Sequence, residues 1–260
     1  MTEEQFQFQE ISLALPNKII GRRILHYPTL ASTMSTARWH IKQGTVEGTV
    51  IIADEQTLGR GRVKRGWLSP KGSISLSIII SPPLSRLHYL TMVSALAVYH
   101  SLKQVTGLEP ELKWPNDVLI KRKKVCGILL ESDVRGGRVA YAIIGIGINA
   151  NRRVGDFPEI PAVATSLLEE TGREVPRWDI IRSLLQQFES LYLRLDHGDK
   201  VFQEWQRRLS TLGQRVQVTS GSSNLIGIAE SVDPDGSLIL RHDDGNVARI
   251  IAGDVTLRSY

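Results

Sequence analysis

Residues 111–148 leave no room for a crossover helix. Strand-like runs at 111–114, 117–120, 125–131 and 138–148 follow one another with only P-N, K-R-K-K and S-D-V-R-G-G, with its Gly136-Gly137 turn, between them. Parallel neighbours need a connection of about a dozen residues or more, so these strands must pair antiparallel. The flanking segments complete an α+β plan. Strand signals at 22–26 and 49–53 enclose a helical stretch that opens at Ser32-Thr33 and runs to Gln43, with Gly44 as its stop. Residues 73–80 alternate Ser with Ile or Leu, the pattern of a half-buried strand. Helical spacing recurs at 87–105, 178–195 and 200–209. A mixed or antiparallel sheet with helices is therefore expected, without repeated βαβ units.

The character of the chain changes after Gly213. Short strand-like runs alternate with D-P-D-G at 233–236 and D-D-G at 243–245, which suggests a small β-barrel of four or five strands. So short a piece buries little core alone and must pack on the larger unit. The expected division is an N-terminal arm at 1–20, a catalytic-sized unit at 21–211 and a small barrel at 212–260. The arm has no strong period and is too short for a helix-turn-helix domain.

Composition excludes several classes. No apolar run approaches the ~20 residues that span a bilayer, and the start M-T-E-E-Q-F-Q is acidic and polar, unlike a signal peptide. Cys126 is the only cysteine, so neither an internal disulfide nor a Cys-based zinc site is available. A cytoplasmic protein without a membrane partner is expected. The net charge of +5 is focused in two runs, Arg60 to Arg65 and Lys121 to Lys124. Two solvated loops would explain them. A small polyanionic ligand explains them better than a long nucleic acid track does.

Four blocks carry chemistry. E-Q-T-L-G-R-G-R-V-K-R-G-W at 55–67 combines glycines, which allow close backbone approach, with arginines, whose planar donors fit phosphate and carboxylate. It lacks the order of a Walker loop and no helix follows it, so neither nucleotide-binding turn applies. A disordered RGG-like segment is the alternative, weakened by the strands on either side. K-W-P-N-D-V at 113–118 places Asn116 and Asp117 at a strand end, where they form either a turn or a nucleotide and magnesium site. In K-K-V-C-G-I-L-L-E at 123–131, Lys124 enters an apolar strand and Gly127 marks a close approach. Hairpin surface charge fits Lys121, Arg122 and Lys123 better than Lys124. G-I-G-I-N-A-N at 145–151 puts alternate glycines, and so bare backbone, on one strand face.

In this order, and with S-T-M at 32–34, the blocks resemble those of biotin protein ligases, over nearly the whole chain from about Arg22 to Arg258. The resemblance implies a catalytic domain similar to that of class II aminoacyl-tRNA synthetases, followed by an SH3-like barrel. It implies two half-reactions. Biotin and Mg²⁺-ATP give biotinyl-5′-AMP and pyrophosphate, and a lysine of a biotin carboxyl carrier domain then takes the biotinyl group. By position, Ser32, Thr33, Met34 and Gln56 would serve the ureido ring. Gly59, Arg60, Gly61, Arg62 and Lys124 would contact the carboxylate and the phosphate. Gly127, Gly145 and Gly147 would form the pocket wall. ATP would fall to Arg60, Arg62, Trp67, Asn116, Asp117, Asn149 and Arg258. Lys124, Arg60, Arg62 and Asp117 would carry catalysis, Asp117 helping to deprotonate the acceptor lysine. No residue is assigned as a dedicated metal ligand.

Two departures stand out. Met34 replaces the Asn common after Ser-Thr, and V-K-R-G-W follows Arg62 where the family commonly has G-R-x-W. The resemblance allows a homodimer through the catalytic sheet. The DNA-binding domain of the ligase/repressors is not in the sequence, so operator binding is not expected. A lipoate or octanoate ligase on the same fold would want an apolar tunnel in place of Ser32, Thr33 and Gln56. A nucleic acid module using barrel and basic loops would leave Lys124, Asp117 and the strand glycines without a common purpose.

Overall fold

The structure is a computed structural model that describes residues 9–257 apart from 12, 14, 64, 158–162, 221 and 222. Its larger sheet holds eight strands in the order β1-β2-β3-β4-β8-β7-β6-β5. The strands are β1 (Gln9–Ile11), β2 (Arg23–Leu30), β3 (Thr49–Gln56), β4 (Ile74–Ile80), β5 (Glu111–Lys113), β6 (Asp117–Ile120), β7 (Lys123–Arg135) and β8 (Arg138–Ile148). Only β2 and β3 pair in parallel, because helix α1 (Thr33–Lys42) crosses between them; the other pairings are antiparallel. The sheet is therefore mixed, as the short connections require.

Alternation divides the two faces. On β4 and β8, Ile74, Leu76, Ile78, Ile144, Ile146 and Ile148 enter the main core. Helices α2 (Leu90–Thr106) and α4 (Arg177–Leu193) cover that face and pack on each other, and α5 (Gly198–Arg207) packs on α2. The opposite face meets α1 through Leu25, Tyr27, Ile51, Ile79 and Ile143. Strand β4 is buried along its whole length, where its alternation suggests a half-buried strand. Its serines do face away from the main core, but α1 and the segment 57–69 cover them.

Two elements go beyond the sequence reading. Part of the N-terminal arm adds β1 to the sheet, pairing with β2. Behind it, the buried Glu189 carboxylate accepts N–H bonds from Lys18, Ile19 and Ile20 at 2.7–2.8 Å. The short helix α3 (Leu167–Thr171) opens on a capping box, with Ser166 and Glu169 each bonding the other's backbone. That S-x-x-E spacing was available in the sequence.

A second, antiparallel sheet takes the order β12-β11-β10-β9-β13: β9 (Arg215–Ser220), β10 (Ser223–Val232), β11 (Leu238–Arg241), β12 (Val247–Ile250) and β13 (Asp254–Leu257). Its inward residues, among them Val216, Val218, Leu238 and Leu240, belong to the same continuous core as the large sheet. Trp114 fastens the two, its indole N–H donating to the Gly236 carbonyl at 2.8 Å and its backbone N–H to Thr211 Oγ1 at 3.0 Å.

Candidate functional site

Residues directly paired across strands share a face. Lys113 pairs with Asp117, Asp117 with Gly127, Gly127 with Gly147 and Gly147 with Ser75. These residues form one row across the α1 side of the sheet. The next row holds Leu129, Gly145 and Ser77. The middle of this face therefore lacks side chains and forms a trough floored by backbone. A Cβ on Gly145 would lie 2.7 Å from Met34 Sδ, and one on Gly147 2.4 Å from Trp67 Nε1. At either distance the neighbouring side chain must shift, so glycine at both positions is what lets Met34 and Trp67 lie where they do in the trough.

Lys124 reaches this face through a bulge. The β6–β7 register shifts so that Leu119 opposes Lys124 rather than Val125. A bulge reverses side-chain parity beyond it, and Lys124 thereby shares a face with Asp117 and Gly127. Its ammonium lies 2.6 Å from Asp117 Oδ1 and 5.5 Å from the Trp67 ring centroid.

One end of the trough is polar and neutral. Gln56, at the end of β3, accepts from the Thr33 backbone N–H at 2.8 Å and from Thr33 Oγ1 at 3.1 Å, while Ser77 Oγ donates to Thr33 Oγ1 at 2.8 Å. Ser32 stands at the N-terminus of α1 in an extended conformation without a side-chain cap bond. Its hydroxyl is buried, and no hydrogen-bond partner among the described residues reaches it. Trp67 Nε1 is another buried donor without a partner among the described residues. Buried polar groups are normally paired, so the Ser32 hydroxyl suits the neutral end to a polar head group, while the Trp67 N–H lies over Gly147 on the side of Lys124.

The other end is charged. Segment 57–68 folds back as a small hairpin: the N–H of Gln56 donates to the Ser69 carbonyl, that of Trp67 to Gly59 and that of Gly61 to Arg65, at 2.8–2.9 Å. Each described arginine of the hairpin meets a carboxylate. Arg60 lies 3.1 Å from Glu131, which Arg38 of α1 also bonds. Arg62 donates to Asn116 Oδ1 at 2.9 Å and lies 3.9 Å from Asp254 on β13, which Arg65 bonds as well. Burial lowers the Arg62 pKa, Asp254 and Asp117 oppose that shift, and Arg65 adds to it. Asn116 is oriented by its amide N–H donating to the Ile128 carbonyl. Between the hairpin and β7, next to Leu129 and Glu131, lies a cavity of about 500 Å³.

Ser32, Thr33, Met34, Gln56, Gly59, Arg60, Gly61, Arg62, Trp67, Asn116, Asp117, Lys124, Gly127, Gly145 and Gly147 all surround this trough or its hairpin. Asn149 differs. Its amide donates to the Thr165 carbonyl at 2.8 Å and its Oδ1 accepts from Arg152, so its side chain is bound into the scaffold. Arg258 and Lys64 lie outside the described residues. Asp254 went unforeseen, since 189 residues separate it from Arg65 and no local pattern links them. Glu131 ends the motif K-x-x-G-I-L-x-E, yet nothing in that spacing names Arg60 and Arg38 as its partners. A molecule with a polar neutral head and an anionic tail would match the two ends, with the hairpin as cover.

Comparison with known proteins gives a consistent picture. Residues 27–149 match the biotin/lipoate A/B protein ligase family, and residues 211–258 match the biotin protein ligase C terminal domain. The bifunctional ligase/repressor BirA of Bacillus subtilis is 34% identical over 254 residues, covering 95% of this chain and 78% of that protein. The biotin–[acetyl-CoA-carboxylase] ligase of Paracoccus denitrificans is 34% identical over 230 residues, covering 83% and 94%. The solved structure of the Aquifex aeolicus biotin protein ligase in complex with biotin and ATP superposes with a TM-score of 0.75 at 28% identity, covering 91% of this chain and 99% of that one.

Proposed function

The chain belongs to the biotin protein ligase family, and from that premise we propose that it forms biotinyl-5′-AMP from biotin and ATP and passes the biotinyl group to a lysine of a biotin carboxyl carrier domain. The observation that carries this reading is the two-ended trough: a neutral, donor-rich end at Ser32, Thr33 and Gln56, a glycine floor, and a cationic end at Lys124, Arg60 and Arg62.

Adenylation brings a carboxylate against an anionic α-phosphate. Lys124 and Arg62 offset that repulsion and stabilise the charge that develops on the phosphoryl oxygens. Their present partners Asp117, Asn116 and Asp254 hold them aimed at the trough. Arg60 is held outward by Glu131 and exchanges that partner for the ligand's anion as the hairpin tightens over it. Trp67 closes the trough beside Lys124 and keeps water from the mixed anhydride. In the second step Asp117 accepts a proton from the acceptor amine. Adenine lies beside Trp67, and we assign Arg258 to ATP as well.

Magnesium bound to ATP is commonly held by one or two carboxylates together with phosphate oxygens. Asp117 would supply one such carboxylate; among the described residues no cluster of three or more His, Cys, Asp or Glu side chains is found. The Asp117 carboxylate on the trough face beside Lys124 fits an ion held mainly by the nucleotide, which would neutralise phosphate charge.

We assign the catalytic unit to residues 21–211, with a class II synthetase-like sheet, and an SH3-like unit to 212–260. No described helix is long and apolar enough to cross a membrane. We assign the protein's work to the cytoplasm, on carrier domains of biotin-dependent carboxylases. Incubation with biotin, Mg²⁺-ATP and a carrier domain tests the proposal. The carrier must gain the mass of one biotinyl group at its lysine, and a carrier of unchanged mass would sink it. The neutral end of the trough favours biotin over lipoate.

A further inference from the structure

Lys113 opens the K-W-P-N-D block and has no role so far. It closes the row Lys113, Asp117, Gly127, Gly147, and so stands on the trough face one strand beyond Asp117, about 5 Å across the sheet. Its side chain is half-buried, and its ammonium makes no hydrogen bond or ion pair with any described residue. Lysine ammonium groups are strongly hydrated, and lysine is almost never fully buried unless paired, so Lys113 stands at the trough with its charge available to a ligand. Burial pushes the pKa of Lys113 down, Asp117 opposes this, Lys124 adds to it, and Asp254 opposes it again. Cations thus outnumber carboxylates here: Arg62, Lys113 and Lys124 share Asp117 and Asp254. Such an excess suits a polyanion carrying more charge than one carboxylate or one phosphodiester.

The direction of the reaction says which part of that polyanion reaches Lys113. An acid whose head lies at Ser32 and Gln56 runs its chain over Gly145 and Gly147 and presents its carboxylate near Lys124. Attack of one carboxylate oxygen on the α-phosphorus forms the C–O–P link. The bond between the α-phosphorus and the oxygen bridging to the β-phosphorus breaks, and pyrophosphate leaves with the electron pair; no proton transfer is required. In-line displacement puts the leaving oxygen opposite the attacking one. The leaving group therefore extends past Asp117, away from the neutral end.

We propose that Lys113 binds the β- and γ-phosphoryl groups of ATP and carries the departing pyrophosphate. The inference rests on the adenylation reading above and adds to it a residue specific to the first half-reaction.

Biotin-dependent exchange of labelled pyrophosphate into ATP tests it, with Lys113→Met and Lys113→Arg. The methionine variant should raise the KM for ATP and for pyrophosphate roughly ten- to hundredfold, the range for losing a charge-assisted hydrogen bond. Transfer of biotin from preformed biotinyl-5′-AMP to a carrier domain should stay within about twofold. The arginine variant should recover most of the exchange. Exchange by Lys113→Met at the level of the unaltered protein would overturn the assignment. So would equal losses in both half-reactions with a lowered thermal midpoint, because that marks a purely structural lysine. If the unaltered protein shows no biotin-dependent exchange, the adenylation reading fails and takes this inference with it.

Discussion

Ser32→Ala should make the ligand-free protein more stable and biotin binding weaker. The Ser32 hydroxyl is buried, at 2% exposure for the residue, and has no hydrogen-bond partner among the described residues. A buried polar group left unpaired costs about 1–3 kcal/mol. Replacing an N-cap serine usually costs about 1 kcal/mol, but that cost is the lost cap bond, and Ser32 makes none. The first effect therefore wins in the free protein. Losing one oxygen's packing contacts offsets part of it, leaving a gain of about 1 kcal/mol, or about 2–4 °C in thermal midpoint for a chain of this size. With biotin bound the sign reverses. A ureido group facing alanine is desolvated without its partner, at about 1–3 kcal/mol, which weakens binding roughly five- to 150-fold. Thermal unfolding without ligand and titration calorimetry with biotin read the two effects separately. A lowered midpoint, or an unchanged Kd for biotin, would refute the reasoning.

Three further outcomes follow from particular contacts. Lys124→Met should lower the adenylation kcat about 10²–10³-fold, the scale for losing a preorganised charge at a reacting oxyanion, with the thermal midpoint little changed; stopped-flow pyrophosphate release checks it. Gly147→Ala places a Cβ 2.4 Å from Trp67 Nε1, so the indole must leave the trough or the fold must absorb about 1–3 kcal/mol of overpacking, and the KM for ATP should rise roughly tenfold. Burial, with the Arg23 guanidinium adding to it, holds the His40 imidazole below its ordinary value of 6.5. The unfolded chain therefore binds the extra proton first, and stability complete above pH 6.5 is lost as pH falls below it. His40→Gln should flatten that part of the midpoint-versus-pH curve, while His88, shifted the same way, contributes in both proteins.

Local chemistry made much of this architecture readable from sequence. The short links between 111 and 148 forced antiparallel pairing, and alternate glycines at 145 and 147 announced a bare face. What stayed hidden depended on distance or on a register detail. Nothing near Lys124 signals the bulge that turns its side chain toward Asp117, because a single register shift leaves the strand pattern intact. Asp254 meets Arg62 and Arg65 only once β13 docks beside the hairpin. Strand β4 reads as half-buried because its serines alternate, whereas Ser77 and Ser75 are buried in hydrogen bonds to Thr33 and Ser69. Asn149 shares the G-I-G-I-N motif with the trough glycines, yet its amide serves the backbone at Thr165.

The central claim is that this trough activates biotin as an adenylate. Its most direct test is mass spectrometry of the small molecules formed when the protein meets Mg²⁺-ATP with biotin or with lipoate, without any carrier. The account predicts biotinyl-5′-AMP with biotin and no adenylate with lipoate. Adenylation of lipoate in preference to biotin would contradict the assignment of the neutral end, and no adenylate from either acid would contradict the enzyme itself.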